Sequence, residues 1–268
     1  MEETINKLKI KVPVMADLAA HGKTPEYLFW VGSAGSYDDR AKKISRAFAK
    51  LLAHAGLDYA ILGTEESDSG EAAKRAGAEF NFQMQAIANI EVFKMYGVKK
   101  IVTCDPHDYS ILKNEYAQLG AELEVYHHSQ FLDKLIAQGK LKISNQYLAS
   151  KTITFHDPCY LGRGNGVFDE PRNVIRSTGA HMVELKRSKI RSFCCGAGGA
   201  QMFKEAEKGK TEVFAARTED VLEVTPDILC TACPFCMLML TDGIKYKEKQ
   251  EQIKVLDIAE LLADALQL

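Results

Sequence analysis

The chain has 268 residues, enough for two ordinary hydrophobic cores, and its 46% hydrophobic and 26% charged residues are a soluble globular balance. A formal charge of −2 gives no bulk attraction for nucleic acid or an anionic bilayer. No apolar run reaches the ~18–20 residues that span a membrane, and the opening MEETINKLKIKVPVMADLAAHGK is too charged for a signal peptide, so the sequence reads as cytoplasmic.

Residues 1–25 read as an extension with a packing or partner-binding role. Beyond them, short apolar runs predict buried strands at Tyr27–Val31, Tyr59–Leu62, Lys100–Thr103, Leu123–Tyr126, Ile153–Phe155, Met182–Leu185, Ile228–Thr231 and Ile253–Leu256. Helical periods lie between them. In AKKISRAFAKLLAHAGL, Ile44, Phe48, Leu51, Leu52 and Ala55 recur at helical spacing, and Gly56 stands where a capping glycine belongs. Strands alternating with helices imply parallel sheets and an α/β fold.

The chain also repeats itself. Ser33 in VGSAGS aligns with Cys159 in DPCYLG, and Asp68 in ESDSGE with Cys194 in FCCGAG, both at an offset of 126. Asp105 and Asp108 align with Cys233 and Cys236 at 128, and Val125 with Val255 at 130. We read a tandem duplication of two Rossmann-like parallel-sheet domains, over residues 26–148 and 149–268.

The second copy carries Cys159, Cys194-Cys195-Gly196 and Cys233-Pro-Phe-Cys236. Loops at the C-terminal ends of parallel strands converge, so these thiols can meet despite their separation in sequence. An odd total of seven cysteines, clustered late, is no secreted disulfide framework. Thiolate-only ligation suits an iron–sulfur cluster or zinc. Five sulfurs exceed the four of a tetrahedral ion, and an adjacent Cys-Cys pair is natural for a multi-iron cluster. A structural zinc site and a bare thiol–disulfide site at Cys233 and Cys236 are the other readings.

This pattern resembles the cysteine-rich CCG domain family, which includes a cysteine-rich subunit of heterodisulfide reductase and the iron–sulfur subunit of glycolate oxidase. The wording FHDPCYLGRGNGVFDEPRNVIRS and SFCCGAGGAQMFKEAEKGK is most similar to the branch linked to electron-transfer flavoproteins and quinones. The resemblance implies that Cys159, Cys194, Cys195, Cys233 and Cys236 ligate a [4Fe–4S] cluster, of the non-cubane kind in the heterodisulfide reductase branch. It implies an electron-transfer subunit that is active only in complex. Its partner would be a larger iron–sulfur or membrane-associated subunit, with an electron-transfer flavoprotein, and the acceptor a quinone or a disulfide. Such partners would hold the chain peripherally on the cytoplasmic membrane.

The first copy departs from that pattern, with Ser33, Asp68, Ser69, Asp105 and Asp108 where the family has cysteines. Hard carboxylates anchor a sulfur-ligated cluster poorly, and Cys104 cannot replace four ligands, so no cluster is expected there. Two readings remain for Asp68, Asp105 and Asp108, with His107 beside them. They are solvated or paired with Lys/Arg, which we favour, or they hold a harder ion such as zinc or magnesium. His156 either donates to a cluster sulfur, shuttles a proton or fixes a loop. Arg163, Arg187, Lys189 and Arg191 either offset thiolate charge or form a solvated face. His127 and His128, taken as consecutive strand residues, should point to opposite faces. Cys230 reads as a core thiol.

Overall fold

The computed structural model describes residues 11–143, 148–205 and 208–268. The chain runs α1 (Met15–Ala19), β1 (Tyr27–Trp30), α2 (Gly32–Tyr37), α3 (Ala41–His54), β2 (Tyr59–Ala60), α4 (Glu71–Arg75), α5 (Glu79–Tyr96), β3 (Lys100–Thr103), α6 (Pro106–Asn114), β4 (Glu124–His127) and α7 (His128–Ala137). It continues with β5 (Thr152–Phe155), α8 (Gly162–Asn165), α9 (Asp169–Ser177), β6 (His181–Val183), α10 (Val213–Val224), β7 (Ile228–Thr231), α11 (Pro234–Tyr246), β8 (Lys254–Asp257) and α12 (Ile258–Ala265). The fold is α/β, built from two four-stranded parallel sheets of the same order, β2-β1-β3-β4 and β6-β5-β7-β8. All eight strands fall on the predicted apolar runs.

The alternation within each strand explains how the layers pack. In β1, Tyr27 and Phe29 face a core that also contains Phe155, Ile258 and Leu262, so apolar side chains of both halves share one interior. Leu28 and Trp30 face the other way, into a core with Phe82, Ile90 and Phe93 from α5. The second half repeats the plan: Leu229 packs outward with Val221, Leu240 and Ile244, while Cys230 turns into the shared interior, as expected of a core thiol. Helix α3 buries Ile44, Phe48, Leu51 and Leu52 on its apolar stripe, each worth roughly 1.5–3 kcal/mol of transfer free energy. It stops because Gly56 takes φ +64, letting Leu57 N–H return to the Leu52 carbonyl at 3.1 Å. Ahead of β1, Val14 bridges Ile61 in parallel beside β2 and Met15 enters the first-half core, which gives residues 11–25 a packing role. The rest of the predicted extension lies outside the described residues.

The last strand of each half turns into its helix through the same device. Asp257 caps α12 with a capping box closed by Glu260, and His127 caps α7 with one closed by Gln130. This turn corrects the expectation for the histidine pair. The strand ends between His127 and His128, so the two rings meet with Nε2 of one 3.2 Å from Nδ1 of the other. His128 Nε2 lies 2.9 Å from Asp257 Oδ1, which completes a fully buried polar chain between the halves.

Candidate metal centre

All five thiols singled out in the second half come together at the C-terminal end of its sheet. Cys159 follows β5, Cys194 and Cys195 sit on the loop after β6, and Cys233 and Cys236 open α11 after β7. None forms a disulfide. Cys233 is the N-cap of α11, and its sulfur accepts the Cys236 N–H at 3.4 Å. Cys236 Sγ lies 3.3 Å from Cys195 Sγ, and Cys194 Sγ accepts the Gly196 N–H at 3.3 Å. Hydrogen bonds from Cys159 and Cys195 hold the Cys194 thiol far below its ordinary range. Burial opposes the Cys233 thiolate, but bonds from Cys236 and His107 bring that thiol down to about 7. The same bonds push Cys159, Cys195 and Cys236 up, since each supplies the proton.

Backbone shape leaves room beside the sulfurs. A side chain begun at Gly198 would stand 3.9 Å from Cys159 Sγ and 3.3 Å from the Tyr160 ring. Gly196 has φ +101, a conformation that side chains with a Cβ rarely adopt. A five-thiol, glycine-flanked donor set fits an iron–sulfur cluster in chemistry, being soft, anionic and more numerous than one tetrahedral ion needs.

Two fully buried arginines lock the loops that carry these thiols. Arg172 forms a bidentate pair with Asp157, at 2.7 and 2.9 Å, and Asp157 in turn accepts the Lys189 N–H. Arg217 donates to the Arg187 carbonyl at 2.9 Å, to Asp220 at 2.8 Å and, through Nε, to His156 Nδ1 at 3.0 Å. Burial, followed by the Arg217 charge, pushes the His156 pKa well below its ordinary value, so the imidazole is neutral. A ring nitrogen of His156 lies within 4.8 Å of the sulfurs of Cys195 and Cys236. The flanking basic residues that the sequence offered as charge compensation are engaged elsewhere. Arg163 donates to the Ser192 carbonyl, Arg187 pairs with Asp220 and Lys189 with Asp169.

The corresponding loops of the first half repeat this geometry with oxygen in place of sulfur. Asp105 caps α6 as Cys233 caps α11, accepting the His107 N–H at 2.8 Å. Asp68 accepts the Gly70 N–H at 2.7 Å, as Cys194 accepts that of Gly196. Ser69 Oγ donates to Asp108 Oδ1 at 2.5 Å, the counterpart of the Cys195–Cys236 contact. Trp30 Nε1 donates to Asp108 Oδ2 at 3.0 Å.

These contacts correct the favoured reading of the aspartates. Asp105 and Asp108 are buried, and their partners are His107, Ser69 and Trp30 in place of lysine or arginine; Asp68 alone is exposed. Burial, reinforced by the Asp105 charge, pushes the Asp108 carboxyl well above its ordinary range. His107 reaches across to the thiol site. Its Nδ1 is 2.9 Å from Asp105 Oδ1 and 4.0 Å from Cys233 Sγ, and its ring stacks 4.3 Å from that of Tyr160. Burial disfavours its charge, but the Asp105 carboxylate prevails and raises its pKa. One cavity of about 40 Å³ lies between the halves, lined by Asp68, Asp105, His107 and Asp108 on one side and by Gly198 and Phe235 on the other.

Sequence reasoning missed Trp30 and Arg217. Trp30 was legible only as a strand residue, and a buried arginine on α10 carries no signal separating it from a surface one.

Comparison with known proteins gives a consistent set of relatives. A profile of the cysteine-rich domain family (CCG) matches residues 27–113 and 153–241. The chain is 49% identical over 96% of its length to the probable iron–sulfur-binding oxidoreductase FadF of Bacillus subtilis, of which it covers 36%. It is 44% identical over 93% of its length to the EtfAB:quinone oxidoreductase of Syntrophomonas wolfei, again covering 36%. A subunit of the dihydromethanophenazine:CoB–CoM heterodisulfide reductase from Methanosarcina barkeri is 36% identical over 90% of the chain, which covers 59% of it. The chain thus spans only about a third of the first two relatives and three-fifths of the third.

Proposed function

The chain belongs to the cysteine-rich CCG domain family, and from that premise we propose that it is the cluster-bearing electron-transfer part of a multi-subunit oxidoreductase. One observation carries the reading: five thiols from three loops of one half share a pocket, while the matching positions of the other half hold oxygen ligands already satisfied by protein donors. Cys159, Cys194, Cys195, Cys233 and Cys236 would hold one [4Fe–4S]-type cluster. That group supplies one-electron transfer when bound. The protein fixes its surroundings through the α11 cap, the Arg172–Asp157 pair and Arg217.

The first half holds neither cluster nor ion in this reading. Asp108 is protonated at neutral pH and its two oxygens are taken by Ser69 and Trp30, which leaves a cation little to bind. The relatives' names support a flavoprotein or quinone-linked complex, with a larger iron–sulfur or membrane-associated partner. Among the described residues no helix is long and apolar enough to cross a membrane. In this reading the partners hold the chain peripherally on the membrane.

Iron, sulfide and zinc analysis with EPR on anaerobically purified protein tests the proposal. About four irons per chain are expected, with Cys195→Ser losing most of them and Asp105→Ala losing none. A colourless protein with about one zinc per chain would overturn it.

A further inference from the structure

We propose that His156 is a hydrogen-bond donor aimed at the cysteine site: its Nε2–H addresses the sulfurs of Cys195 and Cys236 and tunes the cluster they hold. The inference rests on the cluster reading above and deepens it.

The tautomer follows from the donor opposite. Arginine has only donors, and Arg217 Nε–H points at His156 Nδ1 from 3.0 Å. Nδ1 must therefore offer its lone pair, and the ring proton sits on Nε2. Arg217 cannot swing away, because Asp220 and the Arg187 carbonyl hold its NH1 at 2.8 and 2.9 Å. Nε2 is then the nitrogen left for the sulfurs of Cys195 and Cys236, with which the ring shares a 4.8 Å neighbourhood. Metal ligation by His156 is disfavoured by the same geometry. A ligating Nε2 would move the proton to Nδ1 and set two donors against each other in a site where His156 is 1% and Arg217 0% exposed.

The duplication supplies an independent argument. Phe155 pairs with Cys230, so His156 stands one step further on, beside Thr231. Trp30 holds that register in the first sheet, opposite Thr103. Its indole, which can only donate, bonds Asp108, the residue that matches Cys236. Both halves thus present a ring N–H from the end of the same strand to the last residue of the same loop. A carboxyl receives it in one and a thiol in the other. A donor to a ligand sulfur draws charge from it and favours the reduced, more negative cluster.

The test uses the full chain loaded anaerobically, read by iron content and EPR-monitored redox titration. His156→Phe should keep its iron and shift the reduction equilibrium about tenfold toward the oxidised cluster, about 59 mV more negative for one electron. His156→Gln can accept from Arg217 and still donate to sulfur, and should stay within about twofold of wild type. An unchanged potential in His156→Phe overturns the proposal, as does loss of iron from both variants, which would mark a ligand. If His156→Phe does not fold, His156→Gln and NMR of ¹⁵N-histidine-labelled wild type decide. A proton on Nε2 supports the assignment, and one on Nδ1 overturns it. The NMR readout needs no metal, so wild type without iron would sink the cluster reading while the tautomer is judged separately.

Discussion

The two halves share strand order, caps and loop register, yet one gathers thiols and the other carboxylates and hydroxyls. What survives the exchange is the hydrogen-bonding role of each position. Asp105 and Cys233 both cap a helix, Asp68 and Cys194 both accept a glycine N–H, and Trp30 and His156 occupy one register. The loops are therefore shaped by backbone and caps, and the atoms at their tips decide whether the site is soft or hard. The supports differ more than the tips. Arg172 and Arg217 clamp the thiol loops, whereas Asn89 bonded to Tyr116 and to the Asp68 carbonyl holds the corresponding loop of the first half. A loop that must carry several thiolates needs nearby cations; one that carries neutral carboxyls does not.

The largest effect expected from breaking this symmetry lies where the two capping boxes meet. Asp257 is fully buried, its Oδ2 has no partner among the described residues, and burial pushes its pKa up to about 7. Its counterpart His127 is pushed well below the ordinary histidine range, first by burial and then by His128. A carboxyl with a raised folded-state pKa contributes stability that is complete below its unfolded value near 3.9 and is lost as pH rises through about 7. Asp257→Asn removes that dependence. The unfolding free energy of wild type minus variant should therefore fall by a few kcal/mol between pH 4 and pH 8, measured by urea titration at several pH values. His128, pushed by burial down to about 3, titrates in both proteins and drops out of the difference. A difference independent of pH would mean that Asp257 stays ionised, and the buried chain would need another source of charge balance.

A smaller effect tests whether the first site is a finished structure or a vacancy. Trp30→Phe removes the indole N–H from Asp108 Oδ2 and leaves a buried acceptor unpaired. A loss of about 2 kcal/mol is expected, read by circular dichroism because Trp30 is the single tryptophan of the chain. No change would mean that water replaces the donor and that the site is more open than its burial implies. This pairing marks the limit of what the sequence made legible. Strand positions, the duplication and the matched loops were readable, since period-two runs and motif offsets are local signals. The state of Asp105 and Asp108 was not. An aspartate in a loop reads as solvated on composition alone, and burial by Trp30, Ser69 and His107 from distant segments reversed that reading. The histidine pair failed for a related reason, because the strand ended one residue before His128.

The smallest effect concerns how the halves hold each other. Arg40, just before α3, makes a two-pronged pair with Glu260 of α12 at 2.8 and 2.7 Å and donates to the Val255 carbonyl at 3.1 Å. The duplicated contact joins Gln130 of α7 to Glu170 of α9 through one bond of 3.4 Å. Glu260 and Gln130 also close the two capping boxes, so each contact ties a helix start in one half to a cap in the other. Arg40 and Glu260 remain 23% and 12% exposed at their side chains, which admits solvent screening and limits the pair to about 1 kcal/mol. Arg40→Ala should cost about that much at low salt and less at high salt. Gln130→Ala should cost only a few tenths, without salt dependence, because a long neutral-to-charged bond is weak and its partner Glu170 can turn to water. Equal costs, or a salt dependence in both, would show that the interface is governed by the shared apolar core on which both contacts sit and that the ionic asymmetry between the halves carries no energetic weight.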